Sequence, residues 1–167
     1  MPLRRTRLPD DVREQLGIPR RGRVLASGRL TDGWAAATLP ALHVAREGAE
    51  PLRREWYLVD GARLDVESAT LTVTWVDGLP PTDLPLAEDA GVALPRAVHN
   101  LVQRSVVHRE VVTLPSGVPV RVALRRTADG ELLTQVIGTG EVDLTDPATA
   151  AVVDAAEARV REAAGLR

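Results

Sequence analysis

Residues 52–78 read LRREWYLVDGARLDVESATLTVTWVDG. Leu64 and Val66 alternate with Arg63, Asp65 and Glu67, and Leu71, Val73 and Trp75 alternate with Thr70, Thr72 and Thr74. A period of two sends one set of side chains to a core face and the other to water, which is the pattern of strands. Asp60-Gly61 and Asp77-Gly78 punctuate the run, with Glu67-Ser68 between them. Asp-Gly tolerates the positive φ angles of tight hairpin turns. The stretch predicts a three-stranded antiparallel meander.

Upstream, Val24, Ala26, Gly28 and Leu30 alternate with Leu25, Ser27 and Arg29, and Thr31-Asp32-Gly33 makes a turn. Residues 34–46, WAAATLPALHVAR, are apolar and extended in character. Pro40 cannot donate to a strand ladder, so it marks an edge, a bulge or a break. Downstream, Leu84 and Leu86 mark a short edge strand interrupted by Pro85. From Leu94 the period changes. Leu94, Val98, Leu101, Val102, Ser105 and Val106 recur at helical spacing, opposite Arg96, His99, Asn100, Gln103 and Arg104. Strands return with residues 111–114, 118–126 and 132–137. Asp146-Pro147 then opens a last helix, with Asp146 as cap and Pro147 in the first turn. Its apolar stripe is Val152, Val153, Ala156, Val160, Ala163 and Ala164.

The pattern predicts an α+β fold: six or seven mostly antiparallel strands in a partly open barrel, capped by an amphipathic helix, then a βββα extension. Residues 1–22 form an arm with a short helix from Pro9 to Leu16, docked through Val12, Leu16 and Ile18, its tip carrying Arg4, Arg5 and Arg7. Residues 23–107 form the barrel with its helix, and 108–167 the extension, packed on the first part as one globular unit.

Composition narrows the function classes. The chain has 167 residues, enough to bury a core without staples. With no Cys there is neither a disulfide nor a thiol nucleophile. The formal charge of −2 gives no general attraction to nucleic acid or acidic membrane. All 21 basic residues are Arg, and Phe is absent. This bias follows GC-rich codons and suggests a high-GC bacterial source. Arg clusters therefore reflect codon usage as readily as anion binding. The charged N-terminus has no apolar run behind it, and no stretch approaches the roughly 20 apolar residues of a membrane helix. A cytoplasmic setting is the expectation.

A run of six or seven antiparallel strands followed by one amphipathic helix resembles the bacterial pleckstrin-homology-like barrel, over about residues 22–107. The residues that carry the likeness are Arg23-Val24-Leu25-Ala26, Trp56-Tyr57-Leu58-Val59 and the helix from Pro95 to Val107. The resemblance implies a binding or assembly module rather than an enzyme. Lipid-headgroup-binding members carry a basic cluster in the first hairpin; here that hairpin offers only Arg29, so phosphoinositide binding is not implied.

Motifs for chemistry are sparse. His43, His99 and His108 show no metal-ligand spacing. Glu141, Asp143 and Asp146 lack the calcium-loop pattern. Ile137-Gly138-Thr139-Gly140 lacks the third glycine and following helix of a phosphate loop. No serine lies in G-x-S-x-G. No catalytic, cofactor or metal residue is assigned, and no cofactor is expected. Candidate contacts are Arg121, Arg125 and Arg126 as a cationic stripe, Trp34 as an exposed aromatic just after a turn, and His99 with His108.

The expected function is a non-enzymatic binding or scaffolding protein with a protein partner or a second copy of itself. Strand edges at Pro40 and Pro85 and the Ala-rich last helix point that way. Two alternatives stay open: a small-molecule enzyme around His99 and His108, and an Arg-based anion or nucleic-acid binder.

Overall fold

The computed structural model describes residues 8–166. Arg4, Arg5 and Arg7 of the expected N-terminal arm lie outside the described residues. The fold is α+β, with ten strands in three antiparallel sheets and three α-helices among the described residues. The chain divides into two compact units. One holds the described residues up to Trp75 together with Leu79–Gln103; the other holds Val76–Gly78 and the chain from Arg104 onward.

In the first unit, helix α1 (Asp10–Gln15) precedes strands β1 (Val24–Leu30), β2 (Gly33–Thr38), β3 (Ala41–Arg46) and β4 (Leu52–Glu55), which pair in chain order. A 3-10 turn, Trp56–Leu58, leads into a second sheet of β5 (Val59–Asp65), β6 (Thr70–Trp75) and β7 (Thr82–Pro85). The seven strands thus form two sheets and no closed barrel. Backbone bonds join the sheets at one side: Thr31 N–H to Pro85 O (2.9 Å), Ala87 N–H to Arg29 O (2.9 Å), and a bridge between Leu30 and Leu86.

This corrects the meander expected over 52–78. Its first segment, β4, pairs with β3 in the other sheet, where His43 lies opposite Arg53. Asp60-Gly61 is not a turn; both residues lie inside β5, at a register shift between Val59 and Gly61. Val66 leaves the core face, because it sits in the β5–β6 turn and is 81 % exposed. There the Asp65 carboxylate accepts N–H groups from Glu67 and Ser68 at 2.9 and 3.2 Å and shapes the turn. Pro40 marks a break, as one of its expected roles, and not an edge. With Leu39 it forms the short turn between β2 and β3, both interior strands of their sheet. Pro85 does lie on an edge strand, β7.

Helix α2 (Ala93–Ser105) closes the main core. Its Leu94, Val98, Leu101 and Val102 pack among Leu42, Val44, Trp56, Val59, Leu71, Val73, Trp75 and Leu84. A Cβ added to Gly28 would stand 3.2 Å from Leu94 Cδ2, so the bare glycine is what lets the helix approach β1 so closely. The first sheet is covered on both faces. Ala35, Ala37, Leu42 and Val44 enter the main core, while Ala36 and Ala45 meet Leu8, Val12, Leu16 and Ile18 from the α1 segment. This accounts for the unbroken apolar run of 34–46: a strand buried on both faces loses its alternation.

In the second unit, β8 (Val106–Thr113), β9 (Pro119–Arg126) and β10 (Leu132–Gly138) form a sheet with β9 central. Helix α3 (Pro147–Ala163) packs on one face, where Val122 and Leu124 meet Ala156 and Val160, and Val120 meets Val153. Asp146 caps the helix as expected, its carboxylate accepting the Thr149 N–H at 2.9 Å and hydroxyl at 2.7 Å. Of the helix's alanines, Ala156 is buried against the unit's own sheet, while Ala148, Ala151, Ala155, Ala158 and Ala163 are exposed.

Candidate functional site

The first unit holds a groove of about 610 Å³ between α1, the β1–β2 hairpin and the β3–β4 loop. This volume falls in the range of ligand pockets, about 300–1,000 Å³. Val12 and Gln15 line it from α1, Arg29, Gly33 and Trp34 from the hairpin, and Arg46 and Glu47 from the end of β3. The local sequence explains the shape. A Cβ on Gly33 would fall 2.0 Å from the Ala45 carbonyl oxygen, so glycine alone lets the hairpin lie this close to β3. Trp34 stands half-buried, packed at the margin of the α1 cluster.

The cations in this groove are already matched. Arg29 bonds Asp89 through Nε and Nη2 at 3.1 and 3.0 Å. Arg46 donates through Nη2 to the Asp83 carbonyl, and its Nε lies 3.4 Å from Asp32 Oδ2. That last contact is an ion pair without hydrogen-bond geometry. Arg46 Nε and Asp32 Oδ1 are both buried and make no hydrogen bond among the described residues. The pair therefore holds one unfilled donor and one unfilled acceptor side by side.

Behind the groove lies a histidine that the sequence reading weighed only as a metal ligand. His43 on β3 is 3 % exposed, with Nδ1 3.1 Å from the Leu16 carbonyl oxygen and Nε2 3.0 Å from Thr38 Oγ1. A carbonyl only accepts, so Nδ1 carries the hydrogen. In the neutral ring, Nε2 then accepts from the Thr38 hydroxyl. Burial pushes the imidazole below its ordinary value of 6.5; the bond to Leu16 opposes this and the nearby Arg53 adds to it. The signal in the sequence was a histidine inside an otherwise mostly apolar run.

The residues singled out from sequence do not converge. Trp34 lines the groove. His99 is exposed on α2 in the first unit, and His108 is exposed on β8 in the second. The Arg stripe is not a solvated face: Arg125 is 1 % exposed and donates through Nη2 to Ser105 Oγ at 2.8 Å, while Arg121 is half-buried and Arg126 exposed. Ser105 ends α2, where a cation also meets the negative end of the helix dipole. Among the described residues no three His, Asp or Glu side chains are placed to hold a metal ion. No described helix is long and apolar enough to cross a membrane.

A second concavity, about 720 Å³, is lined by Asp154, Glu157, Ala158, Arg161, Glu162 and Leu166. All of these belong to α3 and its tail, so it is the relief of one helix face with no opposing wall. Set against known proteins, the chain has no match: no family model, no curated protein and no solved structure.

Proposed function

We propose that this chain is a binding module rather than a catalyst, and that its first unit receives a segment of a protein partner in the groove between α1 and the β1–β2 hairpin. The observation that carries this reading is the presence, in one groove, of Trp34 and of Arg46, whose contact with the adjoining Asp32 is imperfect. An aromatic wall suits an apolar side chain, and aromatic and Arg residues dominate the energetics of protein interfaces. One unfilled donor beside one unfilled acceptor suits the C=O and N–H of a peptide unit once either side chain rotates. A phosphate would need both cations released from their carboxylates, so the anion-binding alternative is disfavoured.

A pleckstrin-homology-like scaffold is part of the proposal. Four-stranded and three-stranded antiparallel sheets followed by a helix that plugs their shared core support it. The Arg-only basic composition supports a high-GC bacterial source, and a cytoplasmic setting goes with it. Selection of a random peptide library on the immobilised chain, then calorimetry of the selected peptides, tests the reading. Trp34→Ala and Arg46→Ala should each weaken binding about tenfold or more. Failure to select any peptide, or peptides indifferent to both substitutions, refutes it.

A further inference from the structure

The wall of the groove contributed by α1 rests on a buried imidazole, and this gives the groove a means of regulation. The α1 segment is short, six helical residues, and Leu8, Val12, Leu16 and Ile18 are the side chains that dock it. Its last turn is tied to the sheet by the Leu16 carbonyl on His43 Nδ1. The Thr38 hydroxyl stands within reach of two acceptors, His43 Nε2 at 3.0 Å and the Ala41 carbonyl at 3.1 Å.

We propose that His43 is a proton-operated latch: its protonation loosens α1 from the first sheet and opens the groove wall formed by Val12 and Gln15. The regulation rests on the reading of the groove as the binding site. When Nε2 takes a proton it becomes a donor to Thr38 Oγ1, and the Thr38 hydroxyl turns to Ala41 O. Both bonds survive, so the ring can charge without wrecking the sheet. What remains is a cation held away from water. The least costly relief is to let water in by lifting the short covering segment, since weakly docked elements open before the core does.

The charged surroundings favour this direction. From β4, Arg53 stands opposite His43 in the strand register and adds like charge. From β2, the position opposite is Ala36, which carries none. On α1, Asp10, Asp11 and Glu14 are exposed, and Arg13 is turned to the Pro19 and Gly22 carbonyls.

Amide hydrogen exchange on the whole chain, corrected for intrinsic rates, from pH 7.5 to 5 tests the latch. Protection over residues 10–18 should fall below about pH 6.5, by at most tenfold per pH unit for one proton, while protection in β6 and α2 holds. His43→Gln keeps an amide donor and an acceptor but cannot titrate, so its profile should be flat. Thr38→Val keeps the imidazole and removes the acceptor for Nε2–H, so the fall should begin at lower pH. A flat wild-type profile overturns the latch, and so does an equal fall in His43→Gln. A selected peptide whose affinity does not change with pH, alongside flat exchange, sinks the latch and leaves the groove standing. PH-dependent exchange without any Trp34-dependent peptide does the reverse.

Discussion

Gly33 shows how one missing methyl group fixes a local geometry. With a neighbouring backbone oxygen 2.0 Å from where a Cβ would be, no rotamer change can make room. Gly33→Ala should therefore displace the hairpin from β3 and destabilise the chain by about 2 kcal/mol or more, read by chemical denaturation. Gly28 differs in kind, because its nearest neighbour is the end of the Leu94 side chain, which can yield. A second residue-scale prediction concerns the buried pair of Arg125 and Ser105. Ser105→Ala removes the acceptor of a guanidinium N–H that has no access to water, and should cost about 1–3 kcal/mol. The helical spacing places Ser105 on the apolar stripe of its helix. The structure gives it the task of accepting a buried cation. The sequence groups Arg125 with Arg121 and Arg126 in a cationic stripe. A central strand has neighbours on both sides, and period two cannot say whether the second face meets water.

At the scale of elements, the order was legible: a short helix, six or seven strands, a helix, three strands and a helix follow from periodicity and breaker residues, and the structure has seven strands before α2. Partnership was not. The segment 56–58, Trp-Tyr-Leu, makes the passage from one sheet to the next without a glycine, proline or other turn residue to announce it. β4 therefore read as the first strand of the sheet that follows it. Strand pairing depends on contacts between residues far apart in sequence, and an alternating pattern carries no record of them. The docking of α1 was legible in its own apolar residues, Val12, Leu16 and Ile18; its targets Ala36 and Ala45 were not, since they lie in other segments. Two element-scale outcomes follow. Asp146→Ala should fray the first turn of α3, seen as faster amide exchange at residues 147–150. The Thr149 side chain and N–H hold the Asp146 carboxyl below its ordinary 3.8. Its contribution to α3 is thus complete above that value and lost as pH falls through the lower, folded one. Stability from neutral His43 follows a different window: it is complete above about pH 6.5 and declines as acid approaches the lower folded value.

At the scale of the molecule, the antiparallel α+β class was readable because so few residues break the alternation. The groove was not, apart from Trp34, since its lining comes from three segments that meet only on folding. Helix α2 serves both units: Leu94, Val98, Leu101 and Val102 fill the first core, and its last residue receives Arg125 in the second. One continuous helix is thus divided between the two units. Urea curves followed by circular dichroism and by indole emission should therefore coincide, and separated midpoints would show the units melting apart.

Trp34, Trp56 and Trp75 all belong to the first unit. Light emitted at tryptophan wavelengths comes from one half of the chain, and the half that contains α3 is dark. Any fluorescence titration, quenching or energy-transfer measurement on this protein is in effect already site-labelled, with no dye attached.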